Sequence, residues 1–365
     1  MNGEIGKLAM EGVRTLSPYQ PGKPIEELQR ELGLDDIVKL SSNENPLGPS
    51  QAVLEACNNC FADISRYPDS NGFALKSVLA AKLIVDSEQL VLGCGSNDVL
   101  DLIARTFLGS GTSAIYSQHA FIVYPIAVKA VGARAIVTAS KNWGHDLDAM
   151  AAAIADDTRL IFLANPNNPT GTSFSQVEFT RFMKKVNQNI VVVLDEAYFE
   201  YASGGEYPDG VGLLSQYPNL IVTRTFSKAY GLAGLRLGYG VASAEIADLI
   251  NRIRAPFNVN SVALAAAKAV MADYQYLAES RRINVEGMQQ LLGGINALEL
   301  PYIDSCANFL TVGFEQNALD IYQALLHRGI IVRPIGVYEM PRHLRISIGL
   351  PEENEKFLSA LKSVL

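Results

Sequence analysis

Three short apolar runs, each ending in polar residues, limit this chain to a small set of folds. Val191–Leu194 is a run of four apolar residues, three of them β-branched, which is typical of a strand buried on both faces of a parallel sheet. Similar runs at 160–164 and 221–223 end in an Asn/Pro turn and a Ser-Lys loop. Strands and helices alternate from about residue 50 to 245. The sequence therefore predicts an α/β fold with a mostly parallel central sheet between helices.

The third run leads into Lys228, which is surrounded by small and apolar residues. Burial lowers the pKa of an ammonium, as a lysine that forms a Schiff base requires. Ser227 precedes it and Arg236 follows eight positions later, and this hydroxyl and guanidinium could together hold a phosphate. An imine-forming lysine beside an anion site favours pyridoxal 5′-phosphate, an aldehyde that carries a phosphate. A solvated loop is the alternative that this stretch alone leaves open.

Polar residues after the other two runs could serve the same cofactor. Asp195 and Tyr198 lie where a strand is predicted to end, and ligands of open α/β sheets bind at carboxyl ends of strands. Asp195 could keep a pyridine nitrogen protonated, and Tyr198 could donate a hydrogen bond to the ring's phenolate oxygen. Asn168, before Pro169, could aim its amide at a ligand above the strand end. A helix cap and a tight turn remain alternatives for these two motifs.

Residues 93–98, Gly-Cys-Gly-Ser-Asn-Asp, follow a short apolar run and are predicted to open a helix. They form half of a dinucleotide-binding fingerprint, but the third glycine and the acidic partner are missing. A nicotinamide site is therefore weakly supported. The amides of Ser96 and Asn97 at a helix N-terminus would suit a phosphate instead.

These motifs, in this order and spacing, resemble the fold-type-I pyridoxal-phosphate enzymes, and within them the class I and II aminotransferases. The resemblance is strongest to the histidinol-phosphate aminotransferase family and covers nearly the whole chain. It implies a large cofactor-binding domain at 46–255 and a discontinuous small α+β domain of 1–45 with 256–365. The residue pattern itself predicts a helical stretch from about 261 to 292. The segments that carry the resemblance are Asn-Glu-Asn-Pro-Leu-Gly at 43–48, Arg-Tyr-Pro at 66–68, Pro-Asn-Asn-Pro-Thr-Gly at 166–171, Asp-Glu-Ala-Tyr at 195–198, the Ser-Lys segment at 227–236 and Leu-Arg-Ile-Ser-Ile-Gly at 344–349.

The resemblance also assigns roles. Lys228 would be the catalytic residue, and Phe121 would stack on the pyridine ring where many relatives carry a tyrosine. His119 would be structural rather than the base. Tyr67 would reach the cofactor phosphate of a neighbouring chain, which implies a homodimer. The residues implied to bind the cofactor are Gly95, Ser96, Asn97, Phe121, Asn168, Asp195, Tyr198, Thr225, Ser227, Lys228, Arg236 and Tyr67; those implied to bind substrate are Tyr19, Asn43, Arg333 and Arg345.

The implied reaction converts L-histidinol phosphate and 2-oxoglutarate into imidazole acetol phosphate and L-glutamate, in histidine biosynthesis. Lys228 would hold the cofactor as an aldimine and transfer a proton once freed, with ping-pong kinetics. An aromatic amino-acid aminotransferase acting on phenylpyruvate-type keto acids is the main alternative. A phosphothreonine decarboxylase and a regulatory module without catalysis are less favoured.

Composition excludes several other classes. The net charge of −8 gives no basic footprint for nucleic acid. No apolar run reaches the 18 residues of a membrane span, and the first residues lack a signal core, so a cytoplasmic protein is expected. Cys57 and Cys60 have CxxC spacing without a second pair, which favours structural thiols and no metal site.

Overall fold

The computed structural model describes residues 4–202 and 206–365. Residues 1–3 of the predicted small domain and 203–205 of the predicted large domain lie outside this description. Its strands are β1 Val38–Lys39, β2 Leu90–Gly93, β3 Ser113–Ser117, β4 Arg134–Thr138, β5 Thr158–Ala164, β6 Val191–Asp195, β7 Leu220–Thr225, β8 Gly238–Val241, β9 Tyr302–Ile303, β10 Phe309–Gly313, β11 Ile330–Ile331, β12 Arg333–Pro334 and β13 His343–Ser347.

The helices surround these strands. They are α1 Glu4–Leu8, α2 Glu11–Arg14, α3 Ile25–Leu32, α4 Gln51–Cys60, α5 Phe73–Leu83, α6 Ser96–Phe107, α7 Val123–Ala130, α8 Leu147–Ala152, α9 Gln176–Met183, α10 Ala244–Ile253, α11 Ser261–Ala272, α12 Tyr274–Ala297, α13 Ala318–Leu326 and α14 Pro351–Val364. Among the helices of residues 4–202 and 206–365, none has the length and apolar character that a membrane span needs.

The central sheet has the order β2-β8-β7-β6-β5-β3-β4 in the described residues. The neighbours from β7 to β4 run parallel, and β8 pairs antiparallel with both β2 and β7. Alternate residues of β5 enter opposite cores, with Ile161 and Leu163 on one face and Leu160 and Phe162 on the other. Burial on both faces explains the continuous apolar runs. The predicted fold class is confirmed. The alternation of strands and helices was predicted to begin near residue 50, but residues 50–89 contain α4 and α5 and no strand.

A second body contains the sheet β12-β13-β10-β9, covered by α12, α13 and α14. Strand β1 pairs in parallel with β11, so Val38 of the N-terminal segment joins the C-terminal core. The division into 46–255 and 1–45 with 256–365 stays a proposal. The packing favours a later boundary inside α12, because Ala263 and Val270 of α11 lie in the core of the large body.

The helical stretch predicted from 261 to 292 is two helices. The side chain of Asp273 accepts a hydrogen bond from the Tyr276 amide and caps α12, which continues to Ala297. Aspartate competes for local backbone donors and so favours a new helix start over an unbroken helix.

Candidate active site

A cavity of about 200 Å³ lies at the carboxyl ends of β5, β6 and β7, where the two bodies meet. Because these strands are parallel neighbours, their carboxyl ends lie at one edge of the sheet. Most of the predicted site residues line it: Tyr19, Asn43, Ser96, Asn97, Phe121, Asn168, Asp195, Tyr198, Thr225, Ser227, Lys228, Arg236, Arg333 and Arg345.

Lys228 follows β7 and extends its amine into this cavity. Its Nζ donates a hydrogen bond to the Ser42 carbonyl at 3.0 Å. Burial, followed by the positive charge of Arg345, lowers the pKa of Lys228 to about 7. The amine is therefore partly neutral near neutral pH, as a nucleophile or proton acceptor must be.

Asp195, the last residue of β6, is 4 % exposed. Its Oδ2 accepts a hydrogen bond from the Tyr124 hydroxyl at 2.9 Å, and its Oδ1 accepts one from Thr223 at 3.0 Å. Burial raises the pKa of Asp195 to about 6, although both hydroxyls oppose this shift. At neutral pH the carboxylate is ionised and suited to a cationic ligand atom.

An anion cup lies beside Lys228. Helix α6 begins after Gly95, whose φ of +84° places it outside helical geometry and which provides no side-chain cap. A Cβ at Gly95 would meet the Arg236 guanidinium at 2.5 Å. The Arg236 Nη1 also donates to the Ser227 hydroxyl at 3.3 Å. Uncapped amides of a helix N-terminus, a hydroxyl and a guanidinium form a donor set for a phosphate. Ser96 and Asn97 line the cavity, whereas the predicted site residue Gly95 is not among the lining residues and lies next to Arg236, which is.

Two arginines of the second body also line the cavity. Arg333 and Arg345 are directly opposite each other on the antiparallel strands β12 and β13, and both are buried. Arg345 donates to the Asn168 side chain at 2.6 Å and to the Ser41 carbonyl at 2.8 Å, while its buried Nε has no partner among the described residues. Arg333 donates to the Gln20 carbonyl at 2.7 Å. Two adjacent guanidiniums could bind a dianion or two anionic groups.

Three further predicted residues, Tyr198, Phe121 and Tyr19, also line the cavity. Tyr198 is buried, and its hydroxyl accepts a hydrogen bond from the Asn43 side chain at 2.9 Å. Phe121 lines the cavity and meets Tyr124 edge to face at 5.9 Å. Tyr19 is partly exposed, with the Arg333 guanidinium 5.5 Å from its ring centre.

Tyr67 is the predicted site residue that lies away from the cavity. It is 82 % exposed and stacks on Phe257, with the ring centres 4.5 Å apart. The two CxxC cysteines are also remote: Cys57 and Cys60 both lie in α4 as free thiols.

The sequence did not single out several residues of this site. Tyr338 lines the cavity from the turn between β12 and β13, and its carbonyl bonds to the His119 ring. Tyr124 and Thr223 reach Asp195 from α7 and β7. Thr223 could have been found from the sequence because it ends the predicted apolar run at 221–223. Nothing in a single sequence marks Tyr124 or Tyr338 as site residues.

The chain is similar over nearly its whole length to known aminotransferases. The family model described as aminotransferase class I and II matches residues 35–361. Histidinol-phosphate aminotransferase 2 of Pseudomonas fluorescens is 57% identical, with 100% of this chain and 99% of that protein covered. The protein of the same description from Pseudomonas aeruginosa is 57% identical, with 98% of each chain covered.

A solved structure agrees with these sequence relatives. The crystal structure of histidinol-phosphate aminotransferase from Sinorhizobium meliloti, in complex with pyridoxal-5′-phosphate, has a TM-score of 0.90 at 30% identity. It covers 97% of this chain, and 96% of that chain is covered in return. The chain therefore belongs to the class I and II aminotransferases, in the family of the histidinol-phosphate aminotransferases.

Proposed function

We propose that this chain is a pyridoxal-phosphate-dependent aminotransferase of histidine biosynthesis, acting on L-histidinol phosphate and 2-oxoglutarate. The observation that carries the proposal is the pairing of Arg333 with Arg345 in the same cavity that Lys228 lines. L-histidinol phosphate carries a phosphate and 2-oxoglutarate carries two carboxylates, so each substrate has an anionic group that a guanidinium can bind. The relatives at 57% identity support the same activity.

The side chains present fit this cofactor. The anion cup of Ser96, Asn97, Ser227 and Arg236 suits its phosphate. Because Gly95 has no Cβ, the Arg236 guanidinium can lie close to the N-terminus of α6. Lys228 could bond its aldehyde. When bound, the cofactor supplies an aldehyde that captures amines and a protonated ring that accepts electrons from the substrate carbon.

The protein's own groups would then divide the work. Asp195 would hold the proton at the ring nitrogen, Tyr198 and Asn168 would hold the phenolate oxygen, and Phe121 would cover the ring face. The Lys228 amine would take a proton from the substrate carbon and deliver it to the former aldehyde carbon of the cofactor. Arg333 and Arg345, together with Tyr19 and Asn43, would hold the anionic ends of the substrates. The amino group passes from L-histidinol phosphate to 2-oxoglutarate, giving imidazole acetol phosphate and L-glutamate.

A comparison of amino donors tests this assignment. With 2-oxoglutarate as acceptor, we expect kcat/KM for L-histidinol phosphate to exceed the values for phenylalanine and tyrosine by roughly 10²-fold or more, because only that donor offers a phosphate to the arginine pair. Equal or higher values for the aromatic amino acids would instead assign the aromatic aminotransferase, which the comparisons do not favour. A phosphatase-treated donor, L-histidinol, is the matched control for the phosphate.

We also propose that the chain acts as a homodimer, in which Tyr67 of one protomer completes the phosphate site of the other. The supporting observation is apolar exposure in the segment 61–73, where Phe61, Ile64 and Phe73 are each more than half exposed together with Tyr67. The cytoplasmic location remains a prediction from the sequence.

Sedimentation equilibrium tests the dimer. We expect twice the chain mass of 39.5 kDa, and for Tyr67→Phe a cofactor dissociation constant raised about tenfold with the dimer intact, because one hydrogen bond to the charged phosphate is lost. A monomer with full activity would contradict the proposal. Tyr274→Phe, another exposed tyrosine, serves as the control.

A further inference from the structure

Both oxygens of the Asp195 carboxylate are engaged by hydroxyl groups from two different elements. Tyr124 of α7 donates to Oδ2 at 2.9 Å, and Thr223 of β7 donates to Oδ1 at 3.0 Å. All three side chains are buried. The Ala197 backbone also donates to this carboxylate, so three donors fix its plane and still leave lone-pair capacity for another ligand.

The Tyr124 hydroxyl has little freedom to move. The side chain is fully buried, and its ring stacks on Phe162 with centres 4.7 Å apart and planes 10° apart. On its other side the ring meets Phe121 edge to face. Tyr124 therefore contacts both the carboxylate that would hold the cofactor's ring nitrogen and the aromatic side chain that would cover its ring.

The Thr223 hydroxyl is fixed by strand register. Thr223 and Asp195 are direct partners in the parallel pairing of β6 with β7, and Thr223 is fully buried. The β-branched side chain of threonine restricts the direction of its hydroxyl. The backbone pairing that places Asp195 at the strand end therefore also brings this donor to its oxygen.

We propose that Tyr124 and Thr223 are positioning residues that keep Asp195 ionised and aimed at the ring nitrogen of the cofactor, an inference that rests on the proposed function. A buried carboxylate without donors retains its proton, and a neutral acid no longer pairs with a protonated ring nitrogen. Each hydroxyl stabilises the ionised form by a charge-assisted hydrogen bond.

Burial already raises the pKa of Asp195 to about 6, and losing a hydroxyl donor should raise this pKa further, toward neutral pH. The other charged or titratable groups that line this cavity in the described residues are Tyr19, Tyr198, Tyr338, Lys228, Arg236, Arg333 and Arg345. They are identical in every variant of the test, so a difference between variants reports on the two hydroxyls.

The test uses Tyr124→Phe, which keeps the ring, and Thr223→Val, which keeps the shape. The cofactor dissociation constant is measured for each variant and the wild type between about pH 8.5 and pH 6.5, across the range in which a raised Asp195 pKa would act. We expect each variant to bind about tenfold more weakly at the lower end. The ratio of variant to wild type should grow as the pH falls, because the variant carboxyl takes up its proton at a higher pH.

Two matched variants separate positioning from folding. Thr223→Ser restores a hydroxyl and should restore affinity and its pH dependence to near the wild-type values. Tyr201→Phe removes another buried phenol, which pairs with Ser280 outside the cavity, and should leave both unchanged. If Tyr124→Phe does not fold, the Thr223→Val and Thr223→Ser pair decides the question.

A variant-to-wild-type ratio that is constant with pH, or variants that differ from wild type only in melting temperature, would overturn the inference. Failure of the proposed function is a distinct result, since it would appear as a wild-type protein that neither binds pyridoxal phosphate nor transaminates.

Discussion

Lys228→Ala is expected to lower the rate of transamination by roughly 10³-fold or more. The substitution removes both the amine that bonds the cofactor and the group that moves the proton, and general acid–base catalysis alone contributes about 10²-fold to 10⁴-fold. The pKa of Lys228, lowered to about 7, is the property that makes this amine reactive. Steady-state rates with L-histidinol phosphate and 2-oxoglutarate measure the loss.

Two controls make this result specific. Lys228→Arg keeps a positive charge but cannot form the covalent bond, so we expect it to be as inactive as the alanine variant. Lys184→Ala removes an exposed lysine just after α9 and should keep the wild-type rate. Substantial turnover by either Lys228 variant would refute the assigned role.

Arg345→Ala is expected to reduce kcat/KM for 2-oxoglutarate by roughly 10²-fold to 10³-fold. Loss of one partner from a buried, hydrogen-bonded charge pair costs about 2–5 kcal/mol. Arg345 is 6 % exposed and already oriented by Asn168 and Ser41, so its side chain is ordered before substrate arrives. The measurement is the dependence of rate on 2-oxoglutarate concentration.

The conservative variant shows which property of Arg345 matters. Arg345→Lys keeps the charge but loses the planar fork, so most of the loss should remain. Arg282→Ala removes an exposed arginine of α12 and should not change kcat/KM. Because Arg345 is buried, circular dichroism and the melting temperature must show that each variant is folded. Folded Arg345 variants with wild-type kcat/KM would contradict its role.

Much of the site followed from the sequence because its chemistry lies at the ends of strands. Apolar runs predicted the strands now labelled β5, β6 and β7, and parallel pairing brings Asn168, Asp195 and Lys228 to one edge of the sheet. No long-range information beyond the rule for parallel sheets was needed for that step.

The second layer of the site depends on contacts that periodicity does not encode. Tyr124 reaches Asp195 from a ring that stacks on Phe162 of β5, and Thr223 does so through a register that a one-residue shift would destroy. The pairing of Arg333 with Arg345 likewise depends on the antiparallel register of two short strands. The apolar pattern indicates neither strand order nor helix caps. It therefore did not predict that β8 lies antiparallel between β2 and β7, or that a new helix starts at Asp273.

The proposed activity requires that Lys228 bond the cofactor while Asp195 faces its ring nitrogen. Borohydride reduction of the cofactor-loaded protein, followed by mass spectrometry of its peptides, tests the first half most directly. We expect one added pyridoxyl phosphate, on the peptide that contains Lys228. An adduct on another lysine, or none in a protein that transaminates, would contradict it.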